Sequence, residues 1–221
     1  MRTPLPPTPV QATGPIDTSP IVVDTIPDDL DPIWRAVNHL VRARNNDIHL
    51  PISMAFADRL CAAHPEADSL VVRVSVLLHD IGWALVDEDR ILSEGFSGDW
   101  RKAEIRFEHE RQGCNVAREV LPGLGYPEEF VEDVCAIIDG HDTRPEALSL
   151  EDALMRDADR LWRFDHAGIA LAHSWFKLTP SAYMDRLGSE IIPELLTEAG
   201  IAMGTGHLER SRRLLLAEVL A

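Results

Sequence analysis

The stretch Val71-Val72-Arg73-Val74-Ser75-Val76-Leu77-Leu78-His79-Asp80-Ile81-Gly82-Trp83 is apolar for most of its length and then delivers an imidazole and a carboxylate side by side. Its near-continuous apolar character predicts a buried helix from about residue 66, after Pro65, with the polar pair at its last turn. Taking both groups out of water is costly unless both find partners, so packing alone gives no reason for them. A divalent metal ion would satisfy both at once. Gly82 fits a helix C-terminus, where a residue free to take positive φ ends the hydrogen-bond ladder. The pair is therefore expected at the rim of a core, facing a cavity.

Working outward, apolar residues recur at three and four, and each predicted helix presents a metal-ligand type. A helix over about 48–64 carries His49 in its first turn, with Ile52, Phe56, Leu60 and Cys61 on one face. One over 101–121 carries His109 and is stopped by Pro122-Gly123-Leu124-Gly125; the next, over 127–140, ends in Asp139-Gly140-His141-Asp142. Ser149-Leu150-Glu151-Asp152 is a capping box by spacing, opening a helix through residue 164 that contains Asp157 and Asp159. A helix starting at Asp31-Pro32 precedes these, and helices over 165–177, 180–198 (with a kink at Pro193) and 207–220 follow. The period-2 alternation of strands is missing and the chain has no internal repeat, so the fold class is all-α. Between residues 83 and 100 the periodicity fails, and this segment reads as a loop and a candidate lid.

A chain of 221 residues with 45% hydrophobic content can bury one full core. The predicted organisation is one helical domain over 31–221 behind a tail, 1–30, whose seven prolines among Thr, Gly and Ser predict a disordered or surface-draped segment. A net charge of -16 repels phosphate backbones and anionic membrane surfaces, which argues against nucleic acid and membrane as partners. No apolar run has the length of a membrane span, and proline stands where a signal peptide needs its apolar stretch, so the expected location is cytoplasmic. Cys61, Cys114 and Cys135 read as reduced core thiols. The basic run at 210–213 followed by leucines reads as an amphipathic packing helix, with a homodimer contact as the other reading.

His49, His79, Asp80, His109, His141 and Asp157 or Asp159 thus come from five predicted helices. Imidazole and carboxylate suit iron, manganese, zinc, nickel or cobalt, and one carboxylate can bridge two ions. In helical bundles such ligands project inward from facing helices. Residues two apart on a helix point to different faces, so Asp157 and Asp159 cannot easily both serve. His39, His64, His166, His173 and His207 read as surface or hydrogen-bonded core residues.

In order and in local context, these segments resemble the HD superfamily of helical metalloenzymes. His49-Leu50-Pro51-Ile52-Ser53-Met54 is similar to its first ligand helix, Leu77-Leu78-His79-Asp80-Ile81-Gly82 to its signature, and Asp157-Ala158-Asp159-Arg160-Leu161 to its last ligand segment. The resemblance covers about residues 47–175 and favours Asp159 over Asp157. It implies one metal on His49, His79, Asp80 and Asp159 and, as in dinuclear members, a second on Asp80, His109 and His141. The implied cofactors are one or two divalent transition metals (Fe, Mn, Zn, Ni or Co).

The resemblance implies a phosphohydrolase acting on a small phosphorylated metabolite through a metal-activated water, with Asp80 at the centre and Arg106 and Lys102 as helper cations. Arg144 and Arg163 are further candidates for holding the leaving charge. Arg101, Lys102, Arg106 and Arg111 also read as an ordinary solvated face on an acidic protein. Trp83 stands where several subgroups keep a Lys or Glu, which argues against nucleotidase and cyclic-dinucleotide activities. With Trp162 it is expected to form an aromatic wall for an organic substrate group. The same ligands fit a smaller branch of diiron oxygenases that cleave C–C or C–P bonds, although Arg44-Asn45-Asn46-Asp47 replaces the Tyr and Glu that the phosphonate-cleaving members carry ahead of the first histidine. A regulatory ligand-binding module is the third reading.

Overall fold

The apolar stripes become ten α-helices among the residues that the computed structural model describes, namely 5, 8–22, 25–94 and 102–215. They are α1 (Asp31–Val37), α2 (Asn46–Ala63), α3 (Ser69–Leu78), α4 (Glu88–Glu94), α5 (Glu104–Gly123), α6 (Glu128–Ile138), α7 (Leu150–Leu161), α8 (His166–Trp175), α9 (Pro180–Arg186) and α10 (Glu198–Leu215). No strand occurs among the described residues, and the one isolated bridge joins Val10 to Thr197. Among the described residues no helix is long and apolar enough to cross a membrane.

The layout places five ligand-bearing segments round one point. α2 packs on α3 and α7, α3 also on α6, and α5 on α6 and on the 3-10 segment Ile81–Leu85. α3 starts on Asp68, whose carboxylate accepts from the Leu70 and Val71 amides, and it buries seven of its ten residues. α7 starts on Ser149, whose hydroxyl accepts from the Asp152 amide as the capping box requires.

Three expectations are revised. Gly82 lies inside the 3-10 segment and is not a positive-φ cap; a Cβ there would stand 2.0 Å from the His109 carbonyl oxygen and 2.6 Å from the Gly113 nitrogen. The residue is glycine so that this segment can lie backbone to backbone on α5. Beyond α9 the single helix with a kink becomes a π-helical turn (Leu187–Ile191), a 3-10 turn (Ile192–Glu194) and extended Leu195, because Pro193 lacks an amide for the ladder. α10 then starts at Glu198, nine residues before the expected 207; Asp157 accepts from the Leu196 and Thr197 amides just ahead of it. Finally, the segment 83–100 is in part regular, forming the 3-10 turn and α4, while residues 95–100 of the candidate lid lie outside the described residues.

The described part of the tail is draped on the body. The Thr13 and Gly14 amides donate to the Ala63 carbonyl at the end of α2, Val10 exchanges backbone bonds with Leu196 and Glu198, and His207 Nε2 lies 3.0 Å from the Ser19 carbonyl. Its prolines hold it extended and reduce the entropy lost on ordering. The partners are orphan carbonyls at a helix end, which the tail's own composition does not reveal. Cys61, Cys114 and Cys135 are free thiols.

Candidate metal centre

Four imidazoles converge with their Nε2 atoms buried and without a hydrogen-bond partner: His49, His79, His109 and His141. For two of them the backbone sets the tautomer. His79 Nδ1 is 2.8 Å from the Val76 carbonyl and His141 Nδ1 is 2.9 Å from that of Ile138, so each Nδ1–H donates outward and each Nε2 keeps a lone pair facing in. His49 Nδ1 lies 3.2 Å from Asn46 Oδ1, to the same effect. Orphaned ring nitrogens aimed at one point, three of them oriented from behind by hydrogen bonds and that of His109 by stacking on Trp83, are what a metal ion requires.

Asp80 occupies the centre. Its Oδ1 is 3.7 Å from His79 Nε2, 3.5 Å from His109 Nε2 and 3.6 Å from His141 Nε2, and its Oδ2 is 3.3 Å from His49 Nδ1. Asp159 Oδ1 lies 3.1 Å from His49 Nε2 and 3.4 Å from His79 Nε2. Three trios therefore have ligand atoms close enough to share an ion: His49, His79 and Asp159; His79, Asp80 and His141; His109, His141 and Asp142. Such a spread accommodates two positions with Asp80 between them.

The electrostatics keep the carboxylates ionised. Burial alone would raise the Asp80 pKa, but His79 and Arg44, and then His109 and His141, hold it well below the usual carboxylate range. Asp159 is likewise held low against its burial by Arg163, His49 and His79. Burial drives His109 down to about 4, which leaves its ring neutral. Despite the same burial, Asp142 and then Asp80 and Glu110 raise His141 to about 9, so without an ion its Nε2 holds a proton, which must leave for that nitrogen to act as a ligand.

Each candidate ligand has a local reason for its position. Asn46, at the first turn of α2, donates to the Asp80 carbonyl at 2.9 Å and so ties His49's helix to the signature pair. It follows two consecutive left-handed residues, Arg44 (φ 54°) and Asn45 (φ 59°), a strained entry of the kind retained at functional sites. Gly140, at φ 93°, turns the chain after α6 so that His141 points back into the bundle. Glu110, one residue after His109, accepts from the Asp142 and Thr143 amides and the Thr143 hydroxyl, fixing that turn onto α5. Asp159 faces the cluster, whereas Asp157 is turned away to bind Leu196 and Thr197.

A model of the HD domain matches residues 46–163 of the chain. This chain belongs to the HD domain family. No curated protein and no solved structure matches it. The match spans all six residues assigned to metal in the sequence, and this HD domain brings all six together.

The other sequence candidates divide. Arg106 is buried and pairs with Asp142, so it belongs to the centre and not to a solvated face. Arg163 reaches Asp159 at 3.5 Å. Lys102 is exposed just ahead of α5. Arg144 lies elsewhere, bound to Asp152 at 2.6 Å and to the Asp139 carbonyl, where it braces the turn before α7. Trp83 and Trp162 stand behind the histidines, each 1% exposed: Trp83 stacks on His109 at 3.9 Å and Trp162 on His49 at 4.6 Å. Trp83 also lines a cavity with Leu40, Arg44 and Trp175, and the cavity bordered by Arg44, Arg106 and Arg163 takes its aromatic surface from Trp175, Phe176 and Tyr183.

The sequence reading missed Arg44, Asn46, Glu110, Asp142 and Tyr183. Asp142 and Glu110 carried a signal, since each follows a ligand histidine directly. Arg44, which reaches Asp80 Oδ2 at 3.3 Å, and Tyr183 carried none.

Proposed function

We propose that this chain is a metal-dependent phosphohydrolase that cleaves a small phosphorylated metabolite with water as the nucleophile. The observation that supports the reading is the set of guanidiniums at the rim of the centre: Arg44 on Asp80, Arg106 on Asp142 and Arg163 on Asp159, all lining one cavity. In a chain of net charge -16, three buried or half-buried arginines around one cavity are matched to an anionic group.

His49, His79, Asp80 and Asp159 would hold one divalent ion, and Asp80, His109 and His141 a second. Bound there, such ions supply Lewis acidity and lower the pKa of water. The chain's own residues do the rest. The arginines orient the phosphoryl group and offset the charge that builds on its oxygens. Trp83 and Trp162 exclude solvent from behind His109 and His49 and hold the rings in place.

The reading is tested by loading the purified chain with Mn²⁺, Co²⁺, Zn²⁺, Ni²⁺ or Fe²⁺ and measuring phosphate release from a panel of sugar phosphates and nucleoside monophosphates. Metal-dependent release that Arg163→Ala lowers at least tenfold supports it. Oxygen consumption by the Fe²⁺-loaded chain on small phosphonates or polyols, with no phosphate release, replaces it with the oxygenase reading. Substrate binding without turnover replaces it with a regulatory module.

A further inference from the structure

The matched family region ends at residue 163, yet the cavity beside the centre is completed by α8 and α9 from beyond it, through Trp175, Phe176 and Tyr183. Tyr183 is 2% exposed, and its hydroxyl is buried with no hydrogen-bond partner. A buried hydroxyl left unpaired is costly, so an orphan on a cavity wall points to a partner that arrives with a ligand. The interior amounts to about 20 Å³, room for about one oxygen of a head group whose remainder stays at the mouth, and not for a ring.

The neighbours say which head group. The charges acting on Tyr183 are chiefly the cations Arg163 and Arg186. Burial raises its pKa, so the phenol stays protonated and can donate. The ring is fixed by stacking on Phe176 at 5.6 Å, with Arg186 held over Phe176 at 4.3 Å. α9 then runs straight into the π-helical turn Leu187–Ile191, a distortion that recurs at functional sites.

We propose that Tyr183 is a substrate-binding residue whose hydroxyl donates to an oxygen of the substrate's phosphoryl group, with Arg163 on the same anion. The assignment rests on the phosphohydrolase reading of the centre, and it places part of substrate recognition in the segment outside the family region. A neutral donor beside the guanidiniums favours a group that presents several acceptor oxygens in three dimensions, as a tetrahedral phosphoryl group does.

The test is calorimetric titration of inorganic phosphate into the Mn²⁺-loaded full chain, wild type and Tyr183→Phe, with the thermal midpoint of each metal-free chain recorded. The expected result is phosphate binding weakened about tenfold or more in Tyr183→Phe, with manganese content unchanged and a midpoint equal to or above that of the wild type. A hydroxyl with a structural role would instead lower the midpoint. Equal phosphate affinity in the two proteins overturns the role of Tyr183 and leaves the phosphohydrolase reading standing. Failure of the wild type to bind phosphate at millimolar concentration overturns both.

Discussion

Trp83 Nε1–H donates to Asp80 Oδ1 at 2.9 Å, on the oxygen that lies nearest the Nε2 atoms of His79, His109 and His141. The same indole stacks on His109, so one side chain orients two ligands on different segments. Trp83→Phe keeps the ring and removes the donor. Binding of Co²⁺, followed by its visible absorption, is expected to weaken about 10- to 100-fold. An unchanged titration would show that the indole N–H does not set the carboxylate.

Gly82 governs how closely the 3-10 segment lies on α5. With backbone atoms 2.0 and 2.6 Å from a Cβ at this position, no rotamer change relieves Gly82→Ala. The two segments are expected to separate, at a cost of about 3 kcal/mol in urea denaturation, and His109 to be displaced. Wild-type stability in this variant would contradict the close approach.

Asp157 stands two residues from a ligand and serves another purpose. It accepts 2.8–2.9 Å bonds from the Leu196 amide, the Thr197 amide and the Thr197 hydroxyl, and burial raises its carboxyl to about 6. Asp157→Ala orphans buried donors and is expected to cost about 3–5 kcal/mol, whereas Asp157→Asn keeps an acceptor and is expected to cost less than half of that. Metal content per folded chain is expected to be unchanged in both. Loss of metal from folded Asp157→Asn would reassign the ligand.

His207 joins α10 to the tail through the Ser19 carbonyl and packs edge-on against Phe56 at 4.8 Å. Burial lowers its pKa from 6.5 to about 4. Between those values the unfolded chain binds more protons than the folded one, so this residue's contribution is complete above pH 6.5 and is lost as pH falls towards 4. The slope it adds approaches about 1.4 kcal/mol per pH unit within that window. His207→Gln is expected to flatten the stability profile between pH 6.5 and 4.5, and an identical profile in the variant would contradict the burial argument.

The fold class and the convergence of the six candidate ligands were legible because each candidate sits at the end or on the buried face of a helix, where a polar group stands out. His79-Asp80 and Asp159 are of this kind. What stayed hidden depends on contacts between distant segments. The role of Gly82 is set by His109, that of Arg144 by Asp152, and the draping of the tail by the Ala63 carbonyl, none of which leaves a local pattern. That Trp162 is packed behind His49 stayed hidden because a sequence shows a ring near a candidate ligand and not on which side of it, whereas Trp83 turns one face to His109 and still borders a cavity. Tyr183 lies far along the chain in a segment with no motif, and only the folding of α9 over the cavity brings it to Arg163.

The central claim is that Asp80 is the shared ligand of a metal centre. The most direct measurement is elemental analysis of the chain purified anaerobically and dialysed against Mn²⁺ or Fe²⁺, wild type beside Asp80→Ala, with circular dichroism as the control for folding. The account predicts one or two divalent ions per wild-type chain and near-complete loss from an Asp80→Ala chain that keeps its helical spectrum. A folded Asp80→Ala chain that still carries the full complement, or a wild-type chain that binds none, would contradict it.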